Sequence, residues 1–394
     1  MLNMRRPRRL ISIAHSYAVA LNRRLAHEMA RLGGRDWEVT AVAPSLFQGE
    51  LRPIPLERLE QEPCRLEALP TYCQKWIHGM VYGFGLRQLL GASWDVVHCW
   101  EEPFVFAGGQ VAGWTSRRSV LVLTTFQNLT KHYPPPFQWI ERYALGRAAG
   151  WIAGGSTIVQ ALTQKACYQK RRRCIIPLGV DVDHFRPDSK SGEQVRRELG
   201  WSSAGPPVVG YLGRFVPEKG LQTLIRALGQ VTGPWRALLV GGGPMEGSLR
   251  EWARLQGDQV RIVTGIKHDR VPAFLNAMDV LCAPSQTMPH WREQLGRMVI
   301  EAFACGVPVI ASDSGEIPHV ISDAGVIVGE KDFLGWVKSL AELLDNPLCR
   351  VELGQRGRER AQAVYSWSKI ARSHLDFFTE LLESQAEPGL TRAA

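Results

Sequence analysis

The segment Gly213-Arg214-Phe215-Val216-Pro217-Glu218-Lys219-Gly220 sets two cations five residues apart in a glycine-bounded loop. A strand-like run at 207–212 precedes it, and a helical pattern begins near Leu221. Glycines let the backbone approach a ligand closely, and a helix N-terminus favours anions. In that setting Arg214 and Lys219 can grip a diphosphate from two sides. The plain alternative is a loop with two solvated cations. A second cluster follows Pro284-Ser285. Glu293 stands just ahead of a helical stretch, and Glu301 about two turns into it. Glu301 sits amid Met298, Ile300, Ala302 and Phe303. A carboxylate there is costly to bury unless it is paired or bound to hydroxyls, and it suits a diol as a bidentate acceptor. On residue types alone, a surface position for Glu301 is as good a reading.

Two further loops need the same weighing. Gly241-Gly242-Gly243-Pro244 lacks the G-x-G-x-x-G spacing of a dinucleotide loop, so a tight turn explains it equally well. Thr264-Gly265-Ile266-Lys267 ends a strand, where ligands of open α/β sheets collect. It can hold a base through backbone groups or simply connect two elements.

These loops need elements to position them. Apolar strand-like runs stand at 9–14, 37–43, 94–98, 120–124 and 151–153, with a helical pattern at 21–32. Glu101-Glu102-Pro103 reads as a helix start, with acidic residues and a proline in the first turn. The alternation restarts at 207–212 and continues at 238–240, 260–263, 280–282 and 307–311. Strand–helix–strand order implies parallel sheets covered on both faces. Arg186-Pro187-Asp188-Ser189-Lys190-Ser191-Gly192 reads as a polar linker. The expected organisation is α/β, with two Rossmann-like doubly wound domains at 1–188 and 189–366. An amphipathic C-terminal helix, about 367–394, returns to the first.

Taken together these motifs resemble the retaining glycosyltransferases of family 4 (glycosyl transferases group 1), which have the GT-B fold of two such domains facing a cleft. The resemblance rests on Gly213-Arg214 with Lys219-Gly220, Pro284-Ser285, the pair Glu293 and Glu301, Ala304-Cys305-Gly306-Val307-Pro308, and Ser314-Gly315-Glu316-Ile317-Pro318. Ile176-Pro177-Leu178-Gly179-Val180-Asp181 resembles the family's approach to the interdomain crossing. It implies transfer of a sugar from a nucleotide-sugar donor to a glycan or lipid-linked acceptor. Arg214 and Lys219 would bind the donor diphosphate and stabilise the leaving phosphate. Glu301 would accept from the ribose, and Glu293 would hold the donor sugar. Backbone groups of Gly213, Gly265, Ile266, Gly296, Arg297 and Met298 would complete the donor site. The resemblance also implies no metal, no cofactor, and retention through a front-face mechanism. Two alternatives remain: a sugar-nucleotide epimerase on the same fold, and a binding subunit without turnover.

The first half departs from the family pattern. Where relatives carry a Gly-Gly loop after the first strand, this chain reads Ala14-His15-Ser16-Tyr17. Where they often carry a histidine near the acceptor, it has Gln127, which can hydrogen-bond a sugar but cannot act as a base. His15, His98 and Gln127 are the acceptor-side candidates. For His98 the first reading is a structural histidine.

Composition bounds the rest. The 394 residues are 45% hydrophobic and 22% charged, which excludes a mainly disordered chain. Residues 1–188 hold 24 Lys/Arg and 15 Asp/Glu, and residues 189–394 hold 23 of each, so the first half carries the whole net charge of +9. Runs at Arg5-Arg6-Pro7-Arg8-Arg9 and Lys170-Arg171-Arg172-Arg173, with an aromatic stretch at 76–84, fit peripheral contact with anionic membrane, or else a solvated face and an ordinary core helix. No nucleic-acid motif is present. The eight cysteines have no zinc or C-x-x-C spacing, as expected of buried thiols in a reducing cytoplasm. The basic start with Ala18-Val19-Ala20 mimics a signal peptide. The apolar part is only Leu10 to Ala14, so a first strand is expected.

Overall fold

The computed structural model describes residues 6–49, 53–202 and 205–386. The chain divides into two compact units. One comprises 1–177 with 367–394, and the other comprises 178–366.

The first unit is built on a seven-stranded parallel sheet. Its strands are β1 (Arg8–Ile13), β2 (Trp37–Pro44), β3 (Arg65–Leu69), β4 (Val96–Cys99), β5 (Val120–Thr125), β6 (Gly150–Ala153) and β7 (Arg172–Ile175). Their order is β7-β6-β5-β4-β1-β2-β3, so the winding reverses between β1 and β4. The five inner strands β1, β2, β4, β5 and β6 are almost wholly buried, which is why they read as largely apolar runs. Helices α1 (Arg24–Gly33), α2 (Phe106–Trp114) and α3 (Phe137–Arg147) belong to this unit. So does the C-terminal helix (Trp367–Ala386), whose Ile370, Leu375, Phe378 and Leu381 join Leu25, Met29 and Trp37 in one core.

The second unit repeats the plan with six parallel strands: β8 (Val208–Arg214), β9 (Arg236–Gly242), β10 (Val260–Val263), β11 (Val280–Ala283), β12 (Val309–Ser312) and β13 (Val326–Val328). The order β10-β9-β8-β11-β12-β13 is that of a dinucleotide-binding sheet, with the switch between β8 and β11. Two apolar cores lie on the two faces of this sheet. Helices α4 (Ser189–Glu198), α5 (Leu221–Leu228) and α6 (Arg297–Ala304) belong here.

Three sequence-based expectations change. The polar stretch 186–192 is not a linker between the units. Asp188 caps α4 by accepting from the Ser191 N–H at 3.1 Å, and its own N–H donates to Asn276 at 2.7 Å. The division falls instead between Pro177 and Leu178. Polar residues mark a helix N-terminus as readily as a linker.

Glu101-Glu102-Pro103 does not start a helix either, since α2 begins at Phe106. Both carboxylates are held by hydrogen bonds at the end of β4. Glu102 accepts from the Thr125 hydroxyl at 2.6 Å and the Phe126 N–H at 2.8 Å, and burial pushes it up to about 7. The N-terminal basic run is not a free patch. Arg6 makes a bidentate pair with Asp95 at 2.8 and 2.9 Å, Arg8 donates to Thr379, and Arg9 lies over Trp94. Arg5 lies outside the described residues.

His98 is fully buried, with Nδ1 at 3.0 Å from Ser12 Oγ and Nε2 at 2.9 Å from Thr124 Oγ1. Its ring lies 5.4 Å from that of His374 on the C-terminal helix, among Trp100 and Phe378. Burial holds His98 well below the usual histidine range and pushes His374 down to about 4. Both rings are therefore neutral in the fold and take up protons on unfolding at mildly acid pH. That stability is present above about pH 6.5 and is lost as pH falls towards the folded values. Thermal melting should show it. The protein is expected to lose on the order of 2 kcal/mol from His374 between pH 7 and pH 5, and His374→Leu should flatten the dependence of melting temperature on pH.

Candidate functional site

The second unit gathers its charged residues at the carboxyl ends of β8 and β11, beside the switch point. After β8 the chain makes a single 3-10 turn, Pro217–Lys219, and enters α5 through Gly220. Gly220 has φ +68°, and a Cβ there would stand 1.8 Å from the Pro284 carbonyl oxygen. Only glycine lets the β8 loop close against the β11 loop at this point. The contact is fixed further by the Gln286 N–H donating to the Glu218 carbonyl at 2.8 Å.

This closure brings Lys219 and Glu293 together. Both are buried, at 8% and 7% exposure, and Lys219 Nζ donates to Glu293 Oε2. The Ser285 hydroxyl donates to the same oxygen at 2.9 Å, and the ammonium lies 5.1 Å from the centre of the Trp291 ring. Glu293 is set by its own backbone. Its carbonyl accepts from the Glu316 N–H at 3.1 Å, and Gly315, at φ +55°, leaves room that a Cβ would fill 2.0 Å from that carbonyl oxygen. Desolvating either charge alone costs several kcal/mol, so the pair with its hydroxyl is a unit.

Glu301 lies on α6, buried at 5% exposure, and accepts from Arg297 Nε at 2.8 Å one turn earlier. Burial raises it above the usual carboxylate range, and Arg297 offsets part of that rise. Gly296, at φ +74°, is the N-cap of α6 and turns the chain into the helix. Arg297 is exposed and Met298 is buried, its Cε 3.7 Å from where a Gly213 Cβ would stand. Arg214 ends β8 with its side chain largely in solvent, 3.7 Å from Glu218. Gly265 and Ile266 follow β10, two strand positions from β8, with Gly265 at φ +69°. The glycine loop after β9 is a packing device. A Cβ on Gly241 would meet the Gly213 carbonyl at 1.8 Å, and the Phe215 N–H donates to the Gly242 carbonyl at 2.8 Å.

The first unit has its own polar cluster at its own switch point, between β1 and β4. His15 follows β1, and Glu101 follows β4. Glu101 accepts from the His15 N–H at 2.5 Å, from its Nδ1 at 2.6 Å and from the Tyr82 hydroxyl at 2.7 Å. Burial pulls His15 down, and the Glu101 charge more than offsets it, so the ring is held above the usual histidine range. Burial alone would raise Glu101, yet these partners keep it below. His15 lines a hollow of about 540 Å³ with Phe47, Gln74 and Lys75. Gln127, the third acceptor-side candidate, is buried. It donates to the Leu129 carbonyl at 3.0 Å, while its Oε1 is buried without a hydrogen-bond partner among the described residues.

Sequence reasoning named the Lys219, Glu293 and Glu301 positions but not the roles of Ser285, Glu101 and Tyr82. For Ser285 a signal existed, since it follows a strand adjacent to β8. For Glu101 and Tyr82 there was none, because their contact depends on bringing three separate segments together.

Comparison with known proteins gives a consistent result. Residues 195–360 match the family described as "Glycosyl transferases group 1", and residues 19–179 match the "Glycosyl transferase 4-like domain". The GDP-mannose-dependent monoacylated alpha-(1-6)-phosphatidylinositol monomannoside mannosyltransferase of Corynebacterium glutamicum is 33% identical over 217 residues, 53% of this chain and 56% of that protein. The chain thus spans about half the length of such mannosyltransferases. The 2-deoxystreptamine glucosyltransferase of Streptomyces kanamyceticus is 25% identical over 362 residues, 85% of this chain and 92% of its own. Among solved structures, a sucrose-phosphate synthase from Thermosynechococcus elongatus superposes with a TM-score of 0.71 at 22% identity, covering 96% of this chain and 100% of that one. The shared architecture is the GT-B fold.

The glycine contacts are directly testable. Gly315→Ala must place a methyl group in the Glu293 backbone at positive φ, so a loss of about 3 kcal/mol or more is expected in denaturant unfolding. Gly200→Ala, at φ +77° with open space around it, should cost only about 1 kcal/mol.

Proposed function

The chain belongs to the glycosyl transferases group 1 family, and from that premise we propose that it moves a sugar from a nucleotide-sugar donor to a glycan or lipid-linked acceptor. The observation that carries the reading is the buried Lys219–Glu293–Ser285 cluster at the switch point of a dinucleotide-type sheet. An ammonium has three donors, so Lys219 can keep Glu293 and still offer hydrogens to diphosphate oxygens. Arg214, with its side chain in solvent at the end of β8, adds a second cation. Charge develops on the leaving phosphate as the glycosidic bond breaks, and these cations stabilise it in place of a metal. The start of α6, at Gly296, Arg297 and Met298, adds backbone donors with the helix dipole behind them.

Glu301 supplies the acceptor for the donor ribose, Glu293 holds the sugar, and the loop at Gly265 and Ile266 holds the base. Transfer proceeds with retention, and a donor phosphate oxygen takes the acceptor proton. Relatives named for GDP-mannose make that nucleotide sugar the first donor to test, and their phosphatidylinositol mannoside acceptors favour a lipid-linked acceptor. On the acceptor side, Glu101-bound His15 offers a donor to hydroxyl or phosphate groups, and the unpartnered Gln127 Oε1 an acceptor to a hydroxyl.

Donor turnover tests the assignment. Lys219→Ala and Glu301→Ala are each expected to lower transfer by at least about 100-fold. The melting temperature of Glu301→Ala should change little beside that loss. Full activity in either variant rules out the site. Release of an altered sugar with no acceptor present would favour an epimerase.

A further inference from the structure

The surplus positive charge is concentrated in one segment of the first unit. Residues 70–177 hold twelve Lys/Arg and only four Asp/Glu, nearly the whole net charge of the protein. None of the four acids is exposed. Asp95 is paired with Arg6, Glu101 with His15, Glu102 with Thr125 and Glu141 with Lys165. The surface of this segment therefore presents cations without exposed carboxylates.

The same surface carries large aromatic side chains in solvent. Trp76 is 54% exposed, Phe84 73%, Trp139 62% and Tyr143 50%. They are not scattered. Trp76 packs its ring 5.5 Å from Phe137 at the start of α3, and Trp139 and Tyr143 stand one turn apart on that helix. A Cβ on Gly113 of the neighbouring helix α2 would lie 3.8 Å from the Tyr143 hydroxyl. The next residue, Trp114, packs 6.0 Å from Phe84. Helix α2 is largely apolar, and Gly109 lets α3 pack close against it, since a Cβ there would stand 2.7 Å from Ile140. Between Trp139 and Tyr143 the exposed Arg142 projects. It lines a hollow of about 440 Å³ with Lys131, Lys170 and the paired Lys165 and Glu141.

We propose that this face, built on α2 and α3, docks on the surface of an anionic lipid bilayer. Trp139, Tyr143, Trp76 and Phe84 enter the headgroup–acyl boundary, and the Lys131–Arg142–Lys170 hollow takes lipid phosphates. Amphipathic Trp and Tyr rings favour that boundary, and stable peripheral binding needs an apolar and an electrostatic contribution together. Charge complementarity together with the exposed rings selects the occupant, because an anionic bilayer offers phosphates and an apolar boundary side by side. The docking surface is thus not the N-terminal arginine run, whose Arg6, Arg8 and Arg9 are engaged within the unit. Among the described residues no helix is long and apolar enough to cross a membrane, so attachment through this face is peripheral.

The inference stands independently of the donor site, since binding is measured without nucleotide sugar. The full chain is sedimented with vesicles of phosphatidylcholine alone or with roughly 30% phosphatidylglycerol. Binding is expected only to the anionic vesicles, and should weaken several-fold when salt rises from about 0.1 to about 0.5 M. Inorganic phosphate at millimolar concentration should not release the protein. Arg142→Glu is expected to weaken binding about fivefold or more, and Trp139→Ser with Tyr143→Ser on the order of tenfold, with unchanged melting. Arg356→Ser, on the other unit, should bind as the parent does. Failure to bind anionic vesicles, equal binding to neutral ones, release by phosphate, or unaltered binding by both α3 variants would each overturn the proposal.

Discussion

The buried pair of Lys219 and Glu293 constrains more of the second unit than any other contact. Neither charge is tolerable there alone, and a single ion pair in a dry interior barely recovers its desolvation. The Ser285 hydroxyl on the same carboxylate oxygen completes the arrangement. That requirement reaches outward through the backbone. The β8 and β11 loops must touch, which demands glycine at 220, and the segment after β12 must wrap the Glu293 carbonyl, which demands glycine at 315. A parallel sheet with its switch between β8 and β11 is the arrangement that sends both loops to the same end. Fold and charge pair therefore specify each other.

The first unit applies the same logic with different chemistry. Its strand order repeats the pattern, and its switch point also holds a buried carboxylate answered by a nitrogen base and a hydroxyl, here Glu101, His15 and Tyr82. The difference lies in the base. In the second unit it is an ammonium with three donors, and in the first an imidazole that Glu101 holds above its usual value. Two copies of one sheet plan thus answer a buried carboxylate with an ammonium in one case and an imidazole in the other.

Much of this was legible from the residues, and what was not has identifiable reasons. Inner strands such as Val120–Thr125 and Val280–Ala283 read clearly because parallel strands buried on both faces leave no polar positions. The edge strands Arg65–Leu69 and Arg172–Ile175 did not, because each is partly in water and carries arginines. Arg172 and Arg173 instead looked like a basic patch. Glu101-Glu102-Pro103 matched a helix start because local composition cannot reveal that Thr125 and Phe126, more than twenty residues later, supply the hydrogen bonds. Asp188 looked like linker for the same reason, since its cap and its bond to Asn276 appear only once the helix has formed. The lysine and the two glutamates were recognisable because their spacing matched a known pattern. Burial of Lys219, Glu293 and Glu301 is what the structure adds.

Charge distribution shows the same division between local and assembled information. Counting residues located the surplus in the first half, and the arginine run at its beginning was one of two basic runs that suggested a contact surface. Packing moves it. Those arginines are consumed by Asp95, Ser93 and Thr379, while the acids of residues 70–177 are each drawn inward to a partner. Glu101 and Glu102 each unbalance the surface by one charge, because their partners are a histidine and hydroxyls and not a lysine or arginine. The exposed remainder is positive by subtraction. Helix α3 then sets Trp139, Arg142 and Tyr143 on its outer side because Glu141, Ala144 and Leu145 must face the core. An aromatic and cationic face of this kind is thus a consequence of how the interior of the first unit satisfies its own carboxylates.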